Sequence, residues 1–153
     1  MFLLPDDMGT VIYDYQVSQI ADGDDTAMPS AISAAVEEAQ SYLTPNSRKE
    51  WQDGRPKYDV NKIFSAVGSA RNYLILQHCK TIAKFHFINL CNADILYERA
   101  QKNYDRAVSY LKDLGRGNVT LNSLPLLVET PETDTEDEVL PYRSGSRLKF
   151  NHE

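Results

Sequence analysis

The sequence predicts a mainly α-helical protein: a small body of four helices, a long loop between the second and third, and an extended C-terminal arm. Three observations predict it. Residues 74–91 (LILQHCKTIAKFHFINLC) are apolar on nearly every side, whereas residues 93–114 (ADILYERAQKNYDRAVSYLKDL) carry one apolar stripe. An all-round apolar helix beside a striped one reads as the centre of a helical packing unit. Periodicity is lost between Thr44 and Ser65 and again after Gly117, which sets the loop and the arm.

Taken in order, Pro5 to Ala21 reads as one or two short helices. Pro5 suits a first helical turn, Asp6 and Asp7 suit its positive end, and Met8, Val11, Ile12 and Tyr15 recur at helical spacing, with Gly9 a weak point. Asp22-Gly23-Asp24-Asp25 is a turn, and Asp25 or Thr26 is placed to cap the second helix. That helix has Ile32, Ala35, Val36, Ala39 and Leu43 on one face and ends at Thr44-Pro45. Residues 44–65 are polar, contain Gly54, Pro56 and the single Trp51, and read as a loop whose end is anchored by Val60, Ile63, Phe64 and Val67. Loops of such length usually carry function or order on a partner. The third helix is expected from about Ser69 to Leu90. The fourth starts from Asn92 as N-cap, buries Leu96, Ala100, Tyr104, Ala107, Leu111 and Leu114 with Tyr97 and Val108 at the flank, and stops at Gly115-Arg116-Gly117.

Residues 118–129 (NVTLNSLPLLVE) read as an extended, strand-like piece. Residues 129–138 hold six acids and no base, and the final residues turn basic around Tyr142 and Phe150. That composition does not pack a core of its own. The body is therefore assigned to residues 1–121 and the arm to 122–153.

A chain of 153 residues suits one domain, and its 42% hydrophobic content is that of a globular protein. A net charge of -6 argues against a nucleic-acid binder, which needs a basic stripe to replace counterions. His78, Lys80 and Lys84 interrupt the best candidate membrane span, and the N-terminus lacks the basic region of a signal peptide, so a soluble protein made in a cytoplasm is expected, with no membrane partner. Cys79 and Cys91 are separated by roughly 18 Å along a helix, too far to bridge, and read as reduced thiols.

Candidate chemistry is sparse. His78, Cys79, His86 and Cys91 lie in one helical stretch, but His78 and Cys79 point to different faces and no C-x-x-C or H-x-x-x-H pair occurs, so no metal and no cofactor is expected. Nucleophile elbows, phosphate-binding glycine loops and carboxylate pairs in an apolar setting are missing, and no enzyme is expected. The expected sites are protein contacts: Trp51 and Tyr58 in the loop, Tyr97 and Tyr104 on the fourth helix, and a tail in which Tyr142 and Phe150 are apolar anchors and Arg143, Arg147 and Lys149 polar contacts.

The early I-x-D-Y-Q-x-x-Q-I-A-D segment (12–22), the S-Y-L that closes the second helix (41–43), and the E-R-A-x-x-x-Y-D-R-A run (98–107) ending in G-R-G-x-V-x-L (115–121) together resemble the small head-to-tail adaptor, or connector, proteins of Mu-like tailed phages. The resemblance covers about residues 2–121. The closing G-S-R-L-K-F-N-H (145–152) is similar to the tail of versions from Bacteroidales phages. It implies a helical protomer of a homo-oligomeric ring, commonly dodecameric, seated in the virion neck between the portal protein and a tail or second neck protein. Packaged DNA would pass through it without sequence-specific binding, and acidic walls would repel phosphate. The competing expectation is a small monomeric helical binding or assembly-chaperone module.

Overall fold

The computed structural model describes residues 1–45, 55–91, 93 and 97–127. Among them the chain is mainly helical. A 3-10 turn, Pro5–Thr10, precedes α1 (Asp14–Ala21) and α2 (Ala27–Leu43); α3 (Val60–Ser65) and a second 3-10 turn, Gly68–Ala70, lead into α4 (Tyr73–Leu90) and α5 (Tyr97–Arg116).

α4 is the central element, packed along both α2 and α5. Its side chains from Ile75 to Ile88 are covered except Gln77, as its all-round apolar sequence requires. α2 meets it with Ala31, Ala35 and Ala39, all fully buried; small side chains at every fourth position let two helices approach closely. α5 contributes Ala100, Ala107, Val108, Leu111 and Leu114. The start of the chain closes one end of this core. Phe2, Leu3, Met8 and Ile12 are buried, and the Phe2 ring lies 5.0 Å from that of Phe64. Arg71 fastens it, donating to the Phe2 carbonyl at 2.9 Å and to both carboxylate oxygens of Asp7. Lys84 donates to the Val11 carbonyl at 2.7 Å, and burial, then the nearby Arg99, lowers its pKa.

Local chemistry sets the boundaries. Asp22 and Gly23 turn the chain through left-handed conformations (φ 46° and 89°) after α1. Asp24, rather than Asp25 or Thr26, supplies the acceptor at the start of α2, taking hydrogen bonds from the Thr26 amide (2.9 Å) and hydroxyl (2.6 Å). Asn72 Oδ1 accepts from the amides of Leu74 and Ile75, so α4 begins at Tyr73 and not at Ser69. At the end of α5, Gly117 (φ 81°) donates to Leu114 and Asn118 donates to Asp113, the paired bonds of a Schellman ending.

The expected loop 44–65 needs two corrections. Its last part is helical, because Asp59 caps a turn by accepting from Lys62 N at 2.9 Å and Ile63 and Phe64 are thereby turned into the core. Val67, expected as an anchor, is 62% exposed. The segment after Gly117 is irregular over its described part, with one isolated antiparallel bridge between Tyr58 and Leu126 in place of a strand. It also belongs to the body past the expected boundary at 121: Leu124 is buried, Ser123 Oγ accepts from Asn72 at 2.8 Å, and Leu127 N donates to Lys57 O at 2.8 Å. Asn92 and Leu96, expected at the start of the fourth helix, lie outside the described residues. Among the described residues no helix is long and apolar enough to cross a membrane.

Candidate functional site

Of the expected contact residues, Trp51, Tyr142, Arg143, Arg147, Lys149 and Phe150 lie outside the described residues. Tyr58 is a core residue and not a surface contact. It is 2% exposed, and its hydroxyl accepts from Leu121 N at 3.3 Å. The returning segment 121–127 covers it, which the local sequence around Tyr58 does not reveal. Tyr97 and Tyr104 are brought together around Phe85 of α4, whose ring centroid lies 5.9 Å from that of Tyr97 and 4.3 Å from that of Tyr104. Tyr97, at the head of α5, is 39% exposed. Tyr104 is half-buried and committed within the chain.

Tyr104 belongs to a polar hub centred on Glu38 of α2. One carboxylate oxygen accepts from the hydroxyls of Tyr42 (2.8 Å) and Tyr104 (2.7 Å), and the other lies 2.7 Å from His86 Nε2. An ionised carboxylate only accepts, so the histidine nitrogen carries the hydrogen in that pair. The hub ties α2, α4 and α5 together through one side chain. Burial pushes the Glu38 carboxyl up, but the hydrogen bonds from Tyr104, Tyr42 and His86 outweigh it and hold the group below its ordinary value. Burial and the facing carboxylate push the Tyr42 phenol up to about 12 and raise Tyr104 in the same direction. A carboxylate so satisfied is a strut more than a proton carrier. The sequence holds one hint of it, the i, i+4 spacing of Glu38 and Tyr42; the partners on α4 and α5 are far away in sequence.

The remaining candidate residues of α4 and its C-cap sit differently. Cys79 is buried and burial pushes its thiol up to about 12, while Cys91 is half-buried. His78 stacks on Tyr110 at 4.7 Å, and burial lowers its pKa. Among the described residues no three histidine, cysteine or acidic side chains gather as a metal site would require.

Among the described residues two concave surfaces stand out by size. The larger, about 930 Å3, lies between α3, the second 3-10 turn, the head of α4 and residues 121–125, with Ile63, Leu74, Leu121 and Leu124 in its apolar lining. Tyr73 at its edge is 74% exposed and Leu74 39%. The smaller, about 570 Å3, is polar and lies where α2 and α5 end, with Arg55, Lys57, Lys112 and Arg116 among its walls. Sequence reading missed both, since each is assembled from segments distant in the chain. Comparison with protein-family models, with curated proteins and with solved structures yields no match.

Proposed function

We propose that this chain is a structural, non-catalytic adaptor: one protomer of a homo-oligomeric ring that joins the portal of a tailed phage to its tail or a second neck protein, with DNA passing through. The order of sequence segments from residue 12 to residue 121 motivates the reading. The observation that carries it in three dimensions is the open apolar groove at the head of α4. There Tyr73 and Leu74 stand exposed beside Ile63, Leu121 and Leu124. A contiguous apolar concavity rimmed by an exposed tyrosine is the composition of a protein interface, where aromatic residues concentrate. Tyr97 adds a second exposed aromatic on the neighbouring helix. In this reading the residues beyond 127 reach neighbouring subunits or the portal.

Native mass spectrometry and electron microscopy of the purified chain, alone and mixed with its portal protein, test the proposal. Rings or portal-bound rings are expected, and Tyr73→Asp should abolish them while leaving the helical signal intact. A chain that stays monomeric at every concentration, with and without portal, ends the adaptor reading. That outcome would favour a monomeric helical binding or assembly-chaperone module. The specific observation behind this second reading is that α2, α4 and α5 bury a closed core within one chain.

A further inference from the structure

A third concavity, about 420 Å3, lies where the chain entering α1 meets α4 and α5. Thr81 and Lys84 line it from one face of α4, Arg99 and Asn103 line it from α5 at i and i+4, and Tyr13 and Gln16 close its side. Its two charged residues, Lys84 and Arg99, are both cations, and no aspartate or glutamate stands among its described lining residues. Neither cation forms an ion pair with a described carboxylate. Like charges repel across such a space: burial, then the Arg99 charge, lowers the Lys84 pKa. Lys84 is held in place all the same, because its ammonium donates to the Val11 carbonyl at 2.7 Å.

Fastening the start of the chain accounts for Lys84 but not for Arg99, an exposed side chain aimed at the same space. Glu98, its neighbour in sequence, leaves α5 about 100° further round the helix and does not line the concavity. The walls are rich in donors. Lys84 keeps two ammonium hydrogens beyond its bond to Val11, and the Arg99 guanidinium carries five. Gln16 Oε1 accepts from Tyr13 N at 3.3 Å, which leaves the Gln16 Nε2 hydrogens to donate elsewhere. At the rim the exposed Tyr13 ring stacks on Tyr15, with centroids 5.8 Å apart and planes 11° from parallel, an aromatic shelf beside the two cations.

We infer that this concavity is a binding site for a phosphate group, with Lys84 and Arg99 as its counter-charges and Gln16 and Asn103 as neutral donors. The charge match favours phosphate over a single carboxylate, because a phosphate monoester carries about 1.5 to 2 negative charges at neutral pH and faces two cations here. The same chemistry comes from two sources, free inorganic phosphate and the phosphate of a mononucleotide. A cavity of about 420 Å3 has room for more than the phosphate, and the Tyr13 shelf offers the flat surface on which a base stacks. The inference does not depend on the adaptor reading.

Titration calorimetry of the full-length chain in low salt, with inorganic phosphate and with adenosine 5′-monophosphate as separate probes, tests this. Saturable one-to-one binding of at least one probe is expected, with a Kd of about 1 mM or tighter. Arg99→Gln removes a charge at an exposed position and should weaken binding at least about tenfold, because hydrogen bonds between charged groups are the strong ones. Lys84→Gln should do the same, with circular dichroism checking that the helices persist. Lys102→Gln makes the same charge change on α5 outside the concavity and should alter binding by less than about twofold, as screened surface charges do. Tighter binding of the nucleotide assigns the nucleotide as the source, and Tyr13→Ala should then remove its advantage; an advantage that survives Tyr13→Ala overturns the role of the shelf. Equal or weaker binding of the nucleotide assigns free phosphate. Failure of both probes to saturate overturns the inference, as does an Arg99→Gln effect no larger than that of Lys102→Gln.

Discussion

Gly115 offers a test in which two physical arguments predict opposite signs. It is a helical residue in the last turn of α5, where replacing glycine by alanine ordinarily gains up to about 1 kcal/mol from reduced backbone freedom. But a Cβ at Gly115 would lie 2.1 Å from the backbone carbonyl oxygen of Tyr42 in α2, well inside the 3.0 Å that Cβ contacts respect. About 0.9 Å must be found between two helix backbones, and neither atom is the end of a flexible side chain. Overpacking of this kind costs about 1–3 kcal/mol and sometimes more. A backbone-on-backbone clash belongs at the upper end, so Gly115→Ala should destabilise by a net of about 2 kcal/mol. For a chain of this size that is a fall in midpoint of about 4–8 °C by thermal denaturation. Gly9→Ala is the control, because nothing lies within 4 Å of its added carbon, and it should leave the midpoint nearly unchanged. If Gly115→Ala raises the midpoint, helix propensity outweighs contact and the close crossing of α2 and α5 is refuted.

Glu38→Gln keeps the shape of the hub but removes its charge and gives it a donor facing three donors; urea denaturation should register a loss of about 1–3 kcal/mol. An unchanged midpoint would mean that the hub is solvated in effect. The acid limb of the stability profile is set by the sign of two shifts. Asp7, held down chiefly by its hydrogen bond from Arg71, and Glu38 both have lowered folded pKa values, so their contribution is complete above the ordinary values of 3.8 and 4.5 and is lost as pH falls through the folded ones. The alkaline limb is the reverse: Tyr42, pushed up to about 12, contributes fully below its ordinary value of 10.0 and loses that contribution as pH rises toward 12. Denaturation curves from pH 2 to 12 should show both limbs, and Glu38→Gln should flatten each; an acid limb that survives unchanged in the double variant Asp7→Asn, Glu38→Gln would reject the assignment. Native-state alkylation should label Cys91 much faster than Cys79, whose burial raises its pKa to about 12, and equal rates would contradict the packing of α4. Truncation after residue 138 should leave melting unaltered, whereas truncation after residue 120 removes buried Leu124 and uncovers Tyr58 at a cost of about 2–5 kcal/mol; identical melting of the two would return the body boundary to 121.

What the sequence made readable, and what it hid, divides along the range of the interaction. α2, α4 and α5 are legible because each buries a face at its own helical period, and the Ile32–Leu43 stripe and the closure at Gly117 need only neighbours within a turn or two. The hub is hidden because Glu38 lies on what reads as the polar side of α2, and its partners His86 and Tyr104 are 48 and 66 residues away. Arg71 and Asp7 are 64 apart, and nothing near either residue announces the other. α3 is intermediate. Its N-cap signal at Asp59 is present in the sequence, but six residues give too short a period to stand out from a polar loop. Tyr58 fails for a different reason. A tyrosine in a polar stretch is equally consistent with surface and core, and only the returning segment 121–127 decides it. The same return closes over one more long-range contact. It pins Leu127 to Lys57, whose carbonyl accepts from Leu127 N at 2.8 Å, a contact that neither local stretch announces.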